Sequence, residues 1–250
     1  MSSSSVTFDQ TFADVADVQG WMTEAQAHRL WDRAQELTAP AQIVEIGSYQ
    51  GRSAIVFGRA AAEGVAVVAI DPHAGNDRGP QQIHGEADEG QADHEAFLAN
   101  LAAAGVSERV RHVRRPSQEA HHDVTGEIDV LYIDGAHRYA PARDDIDDWG
   151  ARVADGGTLL IHDSFSSIGV TLALISLLFF GSRFRYVGRS GSMTEYRRQS
   201  LGATQRLANA GRQAAQLPWF LRNVVIKVLI LARLGRLTRF LGHREPTWPF

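Results

Sequence analysis

Apolar and polar positions alternate in blocks that predict strand–helix repeats over most of the chain. Runs rich in Val, Ile, Leu and Ala fall at 42–46, 65–70, 128–133 and 158–161, and a further strand is read at 109–114, where Val110 and Val113 stand among arginines. The apolarity of the four runs suits parallel strands covered on both faces. Helical patterns separate them at 23–37, 52–63, 94–104 and 138–153. In the first, Thr23 and Gln26 have capping-box spacing, Leu30 and Trp31 share a face, and Pro40 closes the element. Asp155-Gly156-Gly157 reads as a turn, and 184–188 with 193–198 reads as a hairpin. Seven strands with alternating helices predict an α/β fold built on a doubly wound, mostly parallel sheet. The expected divisions are a loosely held polar arm at 1–22, a ligand-binding domain at 23–202, and a helical tail at 203–250.

Two apolar stretches need separate treatment. Residues 164–182 carry no charge and are long enough to suggest a membrane span. Five serines and a threonine, and a position between a strand and a hairpin, favour a helix buried on the sheet instead. Residues 217–241 mix Leu, Ile, Val and Phe with arginines. That tail is expected to pack on the domain or join two copies into a homo-oligomer, with peripheral membrane contact as the competing reading.

Charge sharpens the division. The whole chain has a net charge of −4, but residues 203–250 carry eight Arg or Lys against Glu245 alone. The tail is therefore +7 and the remainder −11. An acidic body excludes a nucleic-acid partner around the site. The chain has no cysteine, which removes disulfides, thiolate nucleophiles and zinc-thiolate sites and is compatible with a cytoplasmic location. The first five residues lack the basic and apolar segments of a signal peptide.

The chemistry is expected at the strand ends. Glu45-Ile46-Gly47-Ser48-Tyr49-Gln50-Gly51-Arg52-Ser53 links the first strand to a helix through an E-x-G-x-x-x-G turn. Such a turn lets backbone N–H groups approach a ligand. The glycine spacing differs from the dinucleotide fingerprint, which argues against a nicotinamide-linked oxidoreductase. Asp71 ends the second strand, where a carboxylate can meet ribose hydroxyls, although a turn aspartate before proline is the plainer alternative. Asp134 and His137 follow the fourth strand, and His162 and Asp163 end the fifth. Asp71, Asp134 and Asp163 should therefore line one rim. The polar connection 74–93, with His84, is expected to be a lid or substrate loop. Asp144, Asp145, Asp147 and Asp148 read as a solvated acidic face.

Taken together, E-x-G-x-x-x-G, the strand-two aspartate, Ile133-Asp134-Gly135-Ala136-His137, Asp155-Gly156-Gly157 and His162-Asp163 resemble class I S-adenosylmethionine-dependent methyltransferases. Within that superfamily, Tyr132 to His137 followed by Tyr139, Asp145, Trp149 and Gly156-Gly157 is similar to the macrocin-type sugar O-methyltransferases. The resemblance implies that Glu45, Gly47, Ser48, Gly51 and Ser53 hold the methionine part of the cofactor. It implies Asp71 at the ribose, Ser117 and Gln118 by the adenine, and Asp134 bordering both cofactor and metal. Asp134 and Asp163 would bind a divalent ion, expected to be Mg²⁺, and His137 would be the general base. His162 departs from the family pattern, where Glu or Asn is usual, and is assigned as a weak ligand, an outer group or a sign of a softer ion.

The acceptor implied is a small sugar or glycoside hydroxyl, such as a mannoside. A phenolic or polyketide hydroxyl is the alternative. In catechol-type relatives a lysine often serves as base. The single lysine, Lys227, lies in the tail and is expected far from the strand ends. From another class, a non-catalytic protein of the same fold, tethered by its tail, would bind the cofactor product without metal dependence.

Overall fold

The computed structural model describes residues 6–75 and 85–244. Five parallel strands, β1 (Ala41–Ile46), β2 (Val65–Ile70), β3 (Val110–Val113), β4 (Ile128–Ile133) and β5 (Val153–Ile161), are joined by an antiparallel pair, β6 (Phe184–Ser190) and β7 (Met193–Arg198). Their order is β3-β2-β1-β4-β5-β7-β6. The chain winds outward from β1 to β3 and then returns beside β1 with β4. That reversal opens a crevice between β1 and β4 at their carboxyl ends.

Strand alternation divides the core into two layers. Ile43, Val67, Val130, Tyr132 and Leu160 pack beneath α1 (Phe8–Asp14), α2 (Glu24–Gln35), α3 (Arg52–Ala60) and α4 (Ala87–Ala103). Val44, Val68, Leu131, Ile133 and Ile161 face the other way, toward α5 (Tyr139–Asp148) and α6 (Ile168–Leu174). The capping box of α2 is present: Thr23 Oγ1 accepts from the Gln26 amide, and Gln26 Oε1 accepts from the Thr23 amide. The tail forms α7 (Ala203–Ala214), α8 (Leu217–Leu231) and a 3₁₀ segment at Gly235–Leu241.

Several boundaries differ from the sequence reading. The arm is not loose over its described part: α1 buries Phe8, and Val15 and Met22 join the same core. Helix α4 starts at Ala87, not at 94, so the last seven residues of the polar connection are helical. Residues 76–84, with His84, lie outside the described residues. Asp155-Gly156-Gly157 interrupts the β4–β5 register inside β5 instead of preceding it, with Gly156 at φ +80°. Asp145 is buried and leaves the solvated face expected for its cluster. In the 164–182 stretch one face is buried, while Ile168, Leu172 and Phe180 are exposed.

Glu195 on β7 is a buried carboxylate that binds Arg29 of α2, with Arg33 Nη1 at 3.8 Å and Arg197 Nε at 3.8 Å. Removing one partner of a buried ion pair strands the other charges. Glu195→Gln is therefore expected to cost about 3 kcal/mol of stability, read from the urea unfolding midpoint. An unchanged midpoint would show that the pair contributes nothing net.

Candidate active site

The five parallel strands end level, and the ladder continues one residue beyond them. The amides of Asp71, Gly47, Asp134 and His162 donate to Val113 O, Ile70 O, Ile46 O and Ile133 O at 3.1, 2.9, 2.8 and 2.9 Å. Four residues singled out in the sequence thus stand in one row across the sheet. The rim is also where the backbone is least relaxed. Among the described residues, five non-glycine residues have positive φ, and four of them, Tyr49, His73, Asp163 and Phe165, follow β1, β2 and β5. Such conformations cost of order 1–3 kcal/mol each and concentrate at functional sites.

The turn after β1 approaches its neighbour closely. Gly47 has φ +86°, and a Cβ there would lie 2.2 Å from the Asp134 carbonyl oxygen. Glu45 is fully buried and its Oε1 accepts from the Ser53 hydroxyl of α3. Burial pushes its carboxyl up to about 8, with the Ser53 hydroxyl opposing and Asp134 and Asp71 adding to the rise. Glu45 Oε2 and Ser48 Oγ are buried with no hydrogen-bond partner among the described residues. Asp71 is committed to the loop: its Oδ2 accepts from the Tyr49 amide at 2.8 Å and its Oδ1 from the His73 amide at 2.7 Å. A carboxylate has lone pairs left for further donors.

Asp163 sits between two histidines. His137 Nε2 bonds Asp163 Oδ2, leaving His137 Nδ1 buried without a partner among the described residues. His162 Nδ1 stands 3.1 Å from Asp134 Oδ1 and 3.6 Å from Asp163 Oδ2, yet neither of its ring nitrogens makes a hydrogen bond of good geometry. Burial opposes charge on Asp163, but His162 and His137 outweigh it and hold the carboxyl well below the usual range. Burial likewise opposes charge on His162, and Asp134 and Asp163 outweigh it and raise that ring's pKa well above its ordinary value.

Residues 44–164 match the family model described as a methyltransferase domain. Solved structures agree in fold. The O-methyltransferase NovP aligns with a TM-score of 0.58 at 14% identity, covering 74% of this chain and 84% of that one. A methyltransferase from Podospora anserina bound to S-adenosylhomocysteine gives 0.55 at 18%, covering 77% and 86%. The O-methyltransferase TomG of Streptomyces achromogenes, solved with S-adenosylmethionine, gives 0.53 at 15%, covering 78% and 89%. These likenesses establish a Rossmann-like methyltransferase fold.

The rim has donors that suit both groups implied by the sequence. A turn without room for a Cβ, flanked by two unsatisfied buried oxygens, suits the amino-acid end of S-adenosylmethionine. Asp134, His162 and Asp163 each offer one ligand atom, all within 4.8 Å of one another. Two carboxylates and an imidazole can hold a divalent ion. Ser117 and Gln118, expected beside the adenine, are placed differently from each other. Ser117 is buried with its hydroxyl donating to Asp145 Oδ1, while Gln118 is exposed.

Sequence reasoning missed several contacts. Tyr132, two residues before Asp134 on the same strand face, donates its buried hydroxyl to Asp134 Oδ2 at 3.0 Å. Tyr49 stacks on Trp21 and donates to Gln19 Oε1 at 3.0 Å, so the N-terminal arm braces the glycine turn. Lys227 is not remote: its Nζ donates to Ser166 O at 2.8 Å, three residues past Asp163. His73, His94 and His112 form a ring cluster against Phe97. Burial, then the neighbouring His73 and His94, pulls the His112 ring down to about 4.

Burial also pushes the Asp145 carboxyl from its ordinary 3.8 up to about 6, with the Ser117 hydroxyl opposing. The folded state holds this proton more tightly than the unfolded chain. Its contribution to stability is therefore complete below pH 3.8 and lost as pH rises through about 6. Asp145→Asn is expected to gain thermal midpoint relative to the parent between pH 4 and 7. A relative loss over that range would contradict the assigned burial.

Proposed function

We propose that the chain is an S-adenosylmethionine-dependent O-methyltransferase that uses a divalent ion to methylate a sugar or glycoside hydroxyl, such as that of a mannoside. The observation that carries this reading is the Asp134, His162 and Asp163 cluster, with His137 bonded to it, one strand away from the glycine turn. Methyl transfer to oxygen is supported by the neighbours named as O-methyltransferases.

In this reading Glu45, Ser48 and the Gly47–Gly51 turn, with Ser53 holding Glu45, bind the methionine end. Asp71 takes the ribose, with Ser117 and Gln118 toward the adenine. The cofactor supplies the sulfonium methyl group, and a divalent ion, Mg²⁺ by its preference for oxygen, supplies Lewis acidity that lowers the hydroxyl pKa. Asp134 and Asp163 would hold that ion, with Tyr132 fixing Asp134 and His162 as the third donor. His137, bonded to Asp163 through Nε2, would accept the hydroxyl proton as general base. Most of the acceleration then comes from alignment along the S–CH₃ bond.

The test is methyl-labelled S-adenosylmethionine with a panel of mannosides, other glycosides and catechols, in Mg²⁺ and in EDTA. The expected result is labelled sugar that disappears in EDTA. Faster labelling of catechols would assign the alternative phenolic acceptor, and transfer unaffected by EDTA would remove the metal.

A further inference from the structure

Helix α8 is apolar on its outer side as well as its inner one. Its inner side packs Ile226, Leu217 and Phe220 and also carries polar side chains. Asn223 is fully buried and donates to Phe165 O at 3.4 Å, Arg222 Nε donates to Leu241 O at 2.7 Å, and Lys227 reaches Ser166 O. Its outer face carries Leu221, Val225, Val228 and Leu231, at helical spacing, with 60%, 47%, 57% and 62% of their surfaces exposed. A surface helix bounded by water carries a polar outer face. The most apolar 18-residue window of the α7–α8 run is only 11% buried. The 3₁₀ segment extends the patch with Leu237 and with Phe240, which is 75% exposed. A contiguous apolar surface rimmed by polar groups marks an interaction site.

Charge selects the occupant. Residues 203–244 contain eight Arg or Lys and no acid. Arg233, Arg236 and Arg239 are exposed alongside the apolar stripe. Two copies joined through this face would set like charges together, whereas an anionic lipid surface receives both the apolar stripe and the guanidiniums. The α7–α8 run, Ala203–Leu231, is long and apolar enough to cross a bilayer by length and composition. Asn223 and Lys227 pin α8 to the loop after β5, so it lies along a bilayer and does not cross it.

We propose that α8 and the Gly235–Leu241 segment seat the protein on an anionic membrane surface, with the acidic body turned away. Because Asn223 and Lys227 hold Phe165 and Ser166, just past Asp163, the seated face borders the reaction rim. The proposal does not rest on the methyl-transfer reading.

The experiment is co-sedimentation of the full chain with phosphatidylcholine vesicles, alone or mixed with phosphatidylglycerol, alongside sedimentation velocity without lipid. The parent should bind the anionic vesicles at least about tenfold more strongly than the neutral ones. Leu221→Ser/Val228→Ser/Leu231→Ser should lose at least about tenfold. Arg233→Gln/Arg236→Gln/Arg239→Gln, which leaves the apolar stripe and so controls for folding, should lose about a hundredfold. Circular dichroism melting checks both variants. Failure of the parent to bind anionic vesicles overturns the proposal, as does binding that neither variant weakens. A stable dimer that ignores vesicles and that the serine variant splits would assign the face to a second copy.

Discussion

Gly47→Ala is expected to lower the affinity for S-adenosylhomocysteine at least a hundredfold. The new Cβ would stand 2.2 Å from the Asp134 carbonyl oxygen and 2.6 Å from its carbon. Neither atom can yield, because the Asp134 amide is held by Ile46 O in the continued sheet ladder. The backbone at φ +86° adds a left-handed penalty of roughly 1–2 kcal/mol for any residue with a side chain. Relief requires β1 and β4 to separate at the crevice where the turn presents its amides, so binding suffers together with stability. Gly211→Ala is the control, since a Cβ there meets nothing within 4 Å. Calorimetric titration of both variants, with thermal midpoints, separates the effects. Binding by Gly47→Ala equal to that of the parent would show that this turn is not the cofactor cradle.

Asp163→Asn should lower the methyl-transfer rate about 10²–10⁴-fold while leaving S-adenosylhomocysteine affinity nearly unchanged. The side chain is shared: it bonds His137 Nε2, lies 3.6 Å from His162 Nδ1, and offers an oxygen to the cluster with Asp134. Its replacement therefore removes an anionic ligand and releases His137 from its orientation in one step. Asparagine is the right test because it tolerates the positive φ of +54° at this position, which alanine would not. The glycine turn is untouched, so the loss belongs in kcat and in metal response. Equal losses in cofactor affinity and rate would mean that the substitution had collapsed the rim. A variant as active as the parent would remove Asp163 from the chemistry.

The rim was legible in the sequence because four of the parallel strands read as largely apolar runs, and each of those runs stops at a residue singled out for its chemistry. Gly47, Asp71, Asp134 and His162 are the first residues beyond such runs, and the continued ladder sets them level. Helix α4 was harder to delimit because Ala87–Asp93 is polar and acidic, with no apolar stripe in its first two turns to separate it from a loop. Gly156-Gly157 looked like a turn, since a bulge inside a strand uses the same residues as a chain reversal. Asp145 resembled its exposed neighbours, and only the helix's placement against Ser117 buries it. Lys227 is a purely tertiary case: 64 residues separate it from Asp163, and nothing local signals that α8 folds back over the loop after β5. The bond from Tyr132 to Asp134 lay hidden because the aromatic that orients Asp134 is also an ordinary member of an apolar strand.

We propose that cofactor and metal donors share this rim. The direct test is calorimetric titration of S-adenosylhomocysteine into the parent and into Asp134→Ala, first in EDTA and then with Mg²⁺. The expected result is saturable one-site binding by the parent and a Mg²⁺-dependent heat that Asp134→Ala loses. Absence of binding by the parent under every condition would contradict it, leaving the methyltransferase fold without the proposed chemistry.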